Sequence, residues 1–180
     1  MKGMKKYVES VFNKPFDKKY YKKFMKITPK GKILDLGCGV GSASKLFTKA
    51  GYDYVGYDLD QYNIELGKQY NPSLNISTAD ITNIPNQEQK AKGAVYAYSL
   101  LTLNNDEITK SFLSCRKNLA DGGNILIFAR CKDFDENPPK FYVNILKKEG
   151  LINLLELAGF KIVYSKLIDD SVVCVMATKQ

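Results

Sequence analysis

Short apolar runs alternate with amphipathic stretches along most of this chain. The first run, Ile33 to Leu36, stops at a group of glycines and predicts a buried strand. Further strands are predicted over residues 54–58, 74–77, 93–98 and 124–130, with helices over 42–50, 61–70 and 105–119. Five strands that alternate with helices predict a parallel sheet with helices on both faces.

The pattern changes near the carboxyl terminus. A helix predicted over residues 149–158 ends at Gly159, and two apolar strands follow over 160–167 and 172–177. Asp169 and Asp170 lie between these strands and predict a hairpin turn. Upstream, Asn105 or Asp106 is expected to cap the helix that ends near residue 119. The hairpin implies that the last strand is antiparallel to its neighbours.

Three glycines occupy the first predicted turn between strand and helix. Gly37, Gly39 and Gly41 leave that turn without side chains, so a ligand there would contact backbone. The amide groups at the start of the following helix are expected to point into this space and to favour an anionic group. The dinucleotide pattern G-x-G-x-x-G does not fit the spacing of these glycines, because Ser42 follows Gly41. A glycine turn without a ligand is the alternative.

Asp58 ends the second predicted strand, 21 residues after Gly37. In nucleotide-binding βαβ units, an acid about 20 residues beyond the glycines accepts hydrogen bonds from ribose hydroxyls. Asp58 could instead cap the next helix, but Asp60 is suitably placed for that role. Asp35, Asp58, Asp80 and Ser99 all follow or end successive predicted strands. They are therefore expected to meet at one edge of the sheet, where ligands bind in such folds.

The segment Leu34-Asp35-Leu36-Gly37-Cys38-Gly39, followed by Gly41 and a helix, resembles motif I of the class I S-adenosylmethionine-dependent methyltransferases. Segments 119–123 and 155–160 resemble later parts of the same family, so the resemblance covers about residues 31–178. It implies one α/β domain with a doubly wound, mostly parallel seven-stranded sheet and a final antiparallel hairpin strand. It also implies S-adenosylmethionine as cofactor and S-adenosylhomocysteine as product.

The resemblance further implies which residues contact the cofactor. In the family, the residue after the acid that binds ribose packs on adenine, and that residue is Leu59 here. An acid and a neighbouring backbone amide recognise adenine, at the positions of Asp80 and Ile81. The position of Ser99 faces the methionine part of the cofactor. The resulting set is Asp35, Gly37, Cys38, Gly39, Gly41, Asp58, Leu59, Asp80, Ile81 and Ser99. A surface loop acid is the alternative for Asp80, and Cys38 is interpreted as a packing residue, not a nucleophile. Gly93 departs from the family, which often has Asp there.

The net charge of +8 is concentrated before residue 33, because this segment contains 11 of the 27 basic residues and only two acids. Aromatic residues every four positions predict an amphipathic helix in this segment: Phe12, Phe16, Tyr20 and Phe24. We interpret residues 1–30 as a basic helical cap and residues 31–180 as the cofactor-binding domain. Three roles compete for the cap: a solvated lid over the site, a nucleic-acid patch, and a surface for a membrane or anionic substrate.

Composition limits the chemistry further. A chain of 180 residues with 44% hydrophobic composition predicts one domain, and the lack of a long apolar segment predicts a cytoplasmic protein. The sequence has no histidine, and its cysteines lack C-x-x-C spacing, so no metal site is predicted. The cysteines are Cys38, Cys115, Cys131 and Cys174.

The predicted function is methyl transfer to a small-molecule acceptor by in-line displacement, which depends on positioning more than on a catalytic group. No catalytic residue is assigned. Tyr7, Phe12 and Tyr20 are candidates for contacting the acceptor, with core packing as the alternative. Asn137-Pro138-Pro139 resembles a motif for methylating exocyclic amines but follows the wrong strand and precedes Lys140, which disfavours base methylation. RNA or protein methylation through the basic segment and a non-catalytic cofactor-binding module are the alternatives.

Overall fold

A computed structural model of the protein describes residues 18–130, 146–168 and 172–180. In these ranges the strands are β1 Lys32–Leu36, β2 Asp53–Asp58, β3 Ile76–Thr78, β4 Ala91–Ala97, β5 Leu119–Arg130, β6 Phe160–Ile168 and β7 Val172–Lys179. The helices are α1 Lys18–Ile27, α2 Ser44–Lys49, α3 Gln61–Tyr70, α4 Asn105–Asn118 and α5 Lys148–Leu157, with a 3₁₀ turn at Ile81–Asn83.

All seven strands join one sheet in the order β3-β2-β1-β4-β5-β7-β6. Strands β1 to β5 pair in parallel, and β7 pairs antiparallel with both β5 and β6. The predicted doubly wound fold with its antiparallel hairpin strand is thus confirmed. The strand order reverses between β1 and β4, which places the ligand crevice of such a fold at their carboxyl ends. Asp169 and Asp170 lie outside the described residues.

Helices cover both faces of the sheet, which separates two hydrophobic clusters. On one face α1, α2 and α3 contribute Phe24, Phe47 and Ile64 to the packing against Ile33 and Leu126. On the other face α4 and α5 pack against the alternate side chains of the same strands. Within the described ranges, no helix is long and apolar enough to span a bilayer.

Several element boundaries differ from the sequence prediction: β3 and β4, for example, are predicted over residues 74–77 and 93–98 but run over Ile76–Thr78 and Ala91–Ala97. Helix α2 begins at Ser44 instead of residue 42, because the preceding residues form glycine-containing turns. The cap of α4 is Asn104, not Asn105 or Asp106, since Asn104 and Glu107 form a reciprocal capping box with bonds of 3.0 and 2.8 Å. Strand β5 begins at Leu119 and pairs irregularly before Asn124.

Helix α1 explains why glycine occupies position 93. A Cβ atom at Gly93 would lie 2.8 Å from Phe24 Cζ and 2.9 Å from both Ile33 Cδ1 and Thr28 Cγ2. Such contacts are too short for any side chain, because the ring of Phe24 is fully buried against β4. The departure from the family pattern at this position therefore follows from the packing of α1.

The direction of α1 relates the basic segment to the ligand edge of the sheet. Asn124 Nδ2, near the amino end of the parallel part of β5, donates to Ile27 O at 2.9 Å. The ring of Tyr20 packs 6.2 Å from that of Phe128, nearer the carboxyl end of the same strand. The first residues of α1 therefore lie toward the edge where β1 and β4 end.

Candidate functional site

The turn after β1 is built from left-handed glycines that are tied to β2. Gly37, Gly39 and Gly41 have φ values of 78°, 54° and 79°. This conformation is costly for residues with a Cβ atom, which explains why all three positions are glycine. The amides of Gly37 and Cys38 both donate to Tyr57 O, at 2.8 and 2.9 Å, and thereby continue the pairing of β1 with β2.

The turn does not offer a row of free amides, which corrects one expectation from the sequence. Besides those of Gly37 and Cys38, the Gly39 amide donates to Asp58 Oδ2 at 2.7 Å and the Gly41 amide to Cys38 O at 2.9 Å. Helix α2, with six residues, starts only after a further turn. The turn instead leaves open space beside Gly39, where an added Cβ atom would meet nothing within 4 Å.

Asp58 lies at the carboxyl end of β2 and holds the glycine turn in place. Its Oδ2 accepts the bond from Gly39, and its Oδ1 accepts from the Asp60 amide at 2.9 Å. A carboxylate has about four acceptor positions, so capacity for a ligand's hydroxyls remains. Asp60 caps α3 by accepting from the Tyr62 amide, so Asp58 does not have to serve as that cap. Leu59, between the two acids, is 72% exposed.

Asp35 is a buried acid with one unpartnered oxygen. Its Oδ2 accepts a 2.6 Å hydrogen bond from the Tyr54 hydroxyl, whereas its Oδ1 is buried without a hydrogen-bond partner among the described residues. Burial raises the pKa of Asp35 to about 6, the Tyr54 hydrogen bond opposes this rise, and the charge of Asp58 adds to it. An unpaired buried acceptor at a glycine turn is suited to a cationic hydrogen-bond donor from a ligand.

Replacing Asp35 with asparagine is expected to stabilise the protein at neutral pH. Because the folded pKa exceeds the unfolded value of 3.8, the folded state binds this proton more tightly, and stability is lost as pH rises from about 4 to about 6. The Asp35→Asn variant removes that loss, so its free energy of unfolding at pH 7 should exceed the wild-type value by about 3 kcal/mol.

Urea unfolding at pH 7 and at pH 3.5 measures this effect. The advantage of Asp35→Asn should nearly disappear at the lower pH, where the wild-type carboxyl is mostly protonated in both states. The matched control is Asp53→Asn, at the exposed amino end of β2. Equal stability of Asp35→Asn and wild type at pH 7 would contradict the expected result.

Ser99 reaches the same turn from β4. Its hydroxyl donates to Leu36 O at 2.6 Å, and a Cβ atom at Gly37 would lie only 2.2 Å from Ser99 Cβ. Tyr98, just before it, has a left-handed backbone with φ of 63°, unusual for a residue other than glycine. Its ring stacks on Phe128 with centroids 6.1 Å apart. The sequence gives no signal of this backbone conformation.

The remaining predicted cofactor residues occupy the ends of β1 and β3. Asp80 is exposed and caps the 3₁₀ turn, because its Oδ1 accepts from the Thr82 amide and hydroxyl, both at 2.8 Å. Ile81 is 8% exposed and packs in the core. Cys38 is buried, and burial raises the pKa of its thiol well above the usual range, so it stays protonated. Roles for these residues in cofactor binding stay predictions.

The candidates for acceptor contact are only partly described. Tyr20 is 4% exposed and packs its ring against Phe128 and Tyr164, which is the core-packing alternative. Tyr7 and Phe12 lie outside the described residues, as does Cys131.

Of the residues predicted for the site, the structure brings Asp35, Asp58 and Ser99 together around the glycine turn.

Comparison with known proteins identifies the family of this chain. A family model described as a methyltransferase domain matches residues 33–123. The chain is 31% identical over 121 residues to the 23S rRNA (uracil(747)-C(5))-methyltransferase of Pyrococcus abyssi, covering 65% of this chain and 27% of that protein. It is 29% identical over 69 residues to the demethylmenaquinone methyltransferase of Paenarthrobacter aurescens, covering 38% of this chain and 27% of that one.

Solved structures share the fold. An S-adenosylmethionine-dependent methyltransferase from Methanosarcina mazei superposes with a TM-score of 0.76 at 16% identity, covering 86% of this chain and 95% of that one. The chain belongs to the methyltransferase domain family and has the class I, S-adenosylmethionine-dependent form of its fold. It spans about a quarter of the length of the two curated relatives.

Proposed function

We propose that the protein transfers a methyl group from S-adenosylmethionine to a small-molecule acceptor. The observation that carries this proposal is the meeting of three strand ends at one glycine turn. Asp58 at the end of β2 binds the Gly39 amide, and Ser99 after β4 binds the carbonyl of Leu36 at the end of β1. Ligands bind at this edge in open α/β sheets with reversed strand order.

The residues at this edge fit the chemical groups of the cofactor. The unpartnered Asp35 Oδ1 suits its ammonium group, and the remaining acceptor positions of Asp58 suit the two ribose hydroxyls. The open space at Gly39 allows close approach to backbone, and the exposed side chain of Leu59 offers apolar surface to adenine. When bound, the sulfonium supplies an already activated methyl group.

The chain's own contribution is then to hold and orient the reactants and to exclude water. Positioning an acceptor in line with a leaving group can supply roughly 7–11 kcal/mol of the barrier. The sequence has no histidine, so an acceptor that must lose a proton would give it to a carboxylate, a tyrosine, a lysine or solvent. The demethylmenaquinone methyltransferase among the curated relatives supports a small-molecule acceptor.

Calorimetry with S-adenosylhomocysteine tests the cofactor part of the proposal. The protein should bind this product with a single-site isotherm, and absence of binding would overturn the proposal. A second experiment supplies methyl-labelled donor together with separate low-molecular-mass, RNA and protein fractions of a cell extract. Label in the first fraction is the expected result. Binding without transfer to any fraction would indicate a non-catalytic cofactor-binding module.

A second candidate function is methylation of RNA, and the exposed lysines of α1 favour it. Lys18, Lys19, Lys22, Lys23 and Lys26 are all exposed, and α1 contains no acid. None of these lysines forms an ion pair with another described residue, although Lys23 lies over the ring of Tyr164 at 3.7 Å. Such a cluster of unpaired cations attracts a phosphate backbone.

Strand β6 extends this positive surface. In the pairing with β7, Lys161 lies opposite Thr178 and Lys166 opposite Cys174, and directly opposed residues share a face of the sheet. That face is the one covered by α1, because Cys174 belongs to the same hydrophobic cluster as Phe24. The apolar side of α1 is buried in this cluster, so α1 cannot insert that side into a membrane.

Reversing two charges on α1 is expected to weaken RNA binding about tenfold at low salt. The Lys19→Glu/Lys22→Glu variant should also reduce the slope of log affinity against log salt by about 1–2, as expected when two phosphate contacts are lost. The control is Lys110→Glu/Lys117→Glu, which makes the same charge change on exposed positions of α4, across the sheet. Equal weakening by both variants would contradict a specific surface on α1 and β6.

A further inference from the structure

We propose that Tyr54 is a positioning residue that orients the Asp35 carboxylate so that its Oδ1 binds the ammonium group of S-adenosylmethionine. This inference rests on the proposed function. Tyr54 lies on β2 and is not one of the residues implied by the family motif. Its hydroxyl binds one oxygen of Asp35 at 2.6 Å and thereby leaves the other oxygen as the acceptor.

The strand register explains how Tyr54 reaches Asp35. Tyr54 pairs with Ile33, which points to the same face as Asp35, and the residue paired with Asp35 itself is Gly56. The missing side chain at Gly56 leaves that place beside Asp35 without a neighbour from β2. The hydroxyl of Tyr54 therefore provides the hydrogen bond to Asp35 from two residues earlier on the strand.

Packing fixes the ring of Tyr54 in this position. The ring stacks on that of Phe47 from α2, with centroids 6.4 Å apart and planes 24° apart. Both side chains are at most 3% exposed. A ring held in this way keeps its hydroxyl directed at Asp35 without loss of conformational freedom when a ligand binds.

Electrostatics gives the hydroxyl a second effect on Asp35. Burial and the charge of Asp58 both raise the pKa of Asp35, whereas the hydrogen bond from Tyr54 lowers it. The other titratable groups facing this pair are the thiol of Cys38 and the hydroxyl of Tyr21, both of which also interact with Tyr54. Tyr54 thus keeps more Asp35 ionised near neutral pH, and only the ionised carboxylate attracts an ammonium group strongly.

The Tyr54→Phe variant tests this role through the pH dependence of binding. Its affinity for S-adenosylhomocysteine at pH 5.5 should be about eightfold weaker than that of wild type, as expected when the pKa of Asp35 rises by about one unit from about 6. At pH 8.5, where Asp35 is ionised in both proteins, the difference should shrink to about threefold or less. Calorimetry between pH 5.5 and 8.5 measures both values.

Two controls separate positioning from a loss of structure. Tyr52→Phe removes another buried hydroxyl from the same segment, one that donates to Met25 O and Thr28 O, and it should leave the pH midpoint of binding unchanged. The ligand 5′-methylthioadenosine lacks the amino acid part, so its affinity should not differ between Tyr54→Phe and wild type. An equal loss of affinity for both ligands at every pH would overturn the inference.

The outcomes distinguish this inference from the proposed function. If wild type fails to bind S-adenosylhomocysteine, the proposed function is wrong and the inference falls with it. If wild type binds and Tyr54→Phe keeps the wild-type pH profile, only the role of Tyr54 is wrong. A carbon NMR titration of Asp35 in the wild-type protein needs no variant: the pKa should fall when S-adenosylhomocysteine binds. An unchanged pKa would overturn the inference.

Discussion

Replacing Asp58 with alanine is expected to weaken the binding of S-adenosylhomocysteine about 100-fold. The variant loses the acceptors proposed for the ribose hydroxyls, and hydrogen bonds to a charged group are worth about 1.5–3 kcal/mol each. It also releases the Gly39 amide, whose 2.7 Å bond to Asp58 Oδ2 ties the glycine turn to β2. Calorimetry at pH 7.5 measures the change in affinity.

The matched control for Asp58→Ala is Asp53→Ala at the other end of the same strand. Asp53 is exposed and lies at the amino end of β2, away from the glycine turn, so its loss should leave affinity within about twofold of wild type. Thermal unfolding of both variants establishes that they are folded. Wild-type affinity in Asp58→Ala would remove this acid from the cofactor site.

A Gly37→Ala substitution is expected to reduce the free energy of unfolding by about 2–5 kcal/mol. The left-handed backbone at this position costs alanine about 1–2 kcal/mol. The added Cβ atom would lie 2.2 Å from Ser99 Cβ, and relieving such an overlap costs about 1–3 kcal/mol more. Urea unfolding followed by circular dichroism measures the loss.

Gly51→Ala measures the backbone part of this effect alone, so the difference between the two variants gives the steric part. Gly51 has a φ of 79°, almost the same as Gly37, but a Cβ atom there would meet nothing within 4 Å. Its replacement should therefore cost only the backbone term of about 1–2 kcal/mol. If Gly37→Ala lost no more free energy of unfolding than Gly51→Ala, the expected steric overlap with Ser99 would be contradicted.

The sequence predicts the arrangement of the elements well, because that arrangement depends on patterns several residues long. Apolar runs that end in glycine or acid mark the carboxyl ends of β1 and β2, and a parallel sheet brings such ends to one edge. The proximity of Asp58 and Ser99 to the glycine turn follows from this rule. The assignment of the helix cap to Asp60, which frees Asp58, is also confirmed.

Features that depend on side-chain contacts between distant segments could not be predicted. Position 93 is glycine because a side chain there would overlap with Phe24, which lies 69 positions earlier in the chain and on another element. The bond from Tyr54 to Asp35 depends on the register between β1 and β2, which a single sequence does not specify. The predicted caps of α4, Asn105 or Asp106, lie one or two residues after the observed cap Asn104, since the exact boundary of a helix depends on local hydrogen bonds.

The backbone at Tyr98 carries a cost that the rest of the fold must offset. A residue other than glycine in a left-handed conformation costs of the order of 1–3 kcal/mol and persists only where its surroundings hold it. The stacking of its ring on Phe128 is one such contact, and it joins the turn carrying Ser99 to β5. Part of the protein's stability is thus given up for a fixed turn, so position 98 is one place where selection for heat resistance and selection for a fixed turn would conflict.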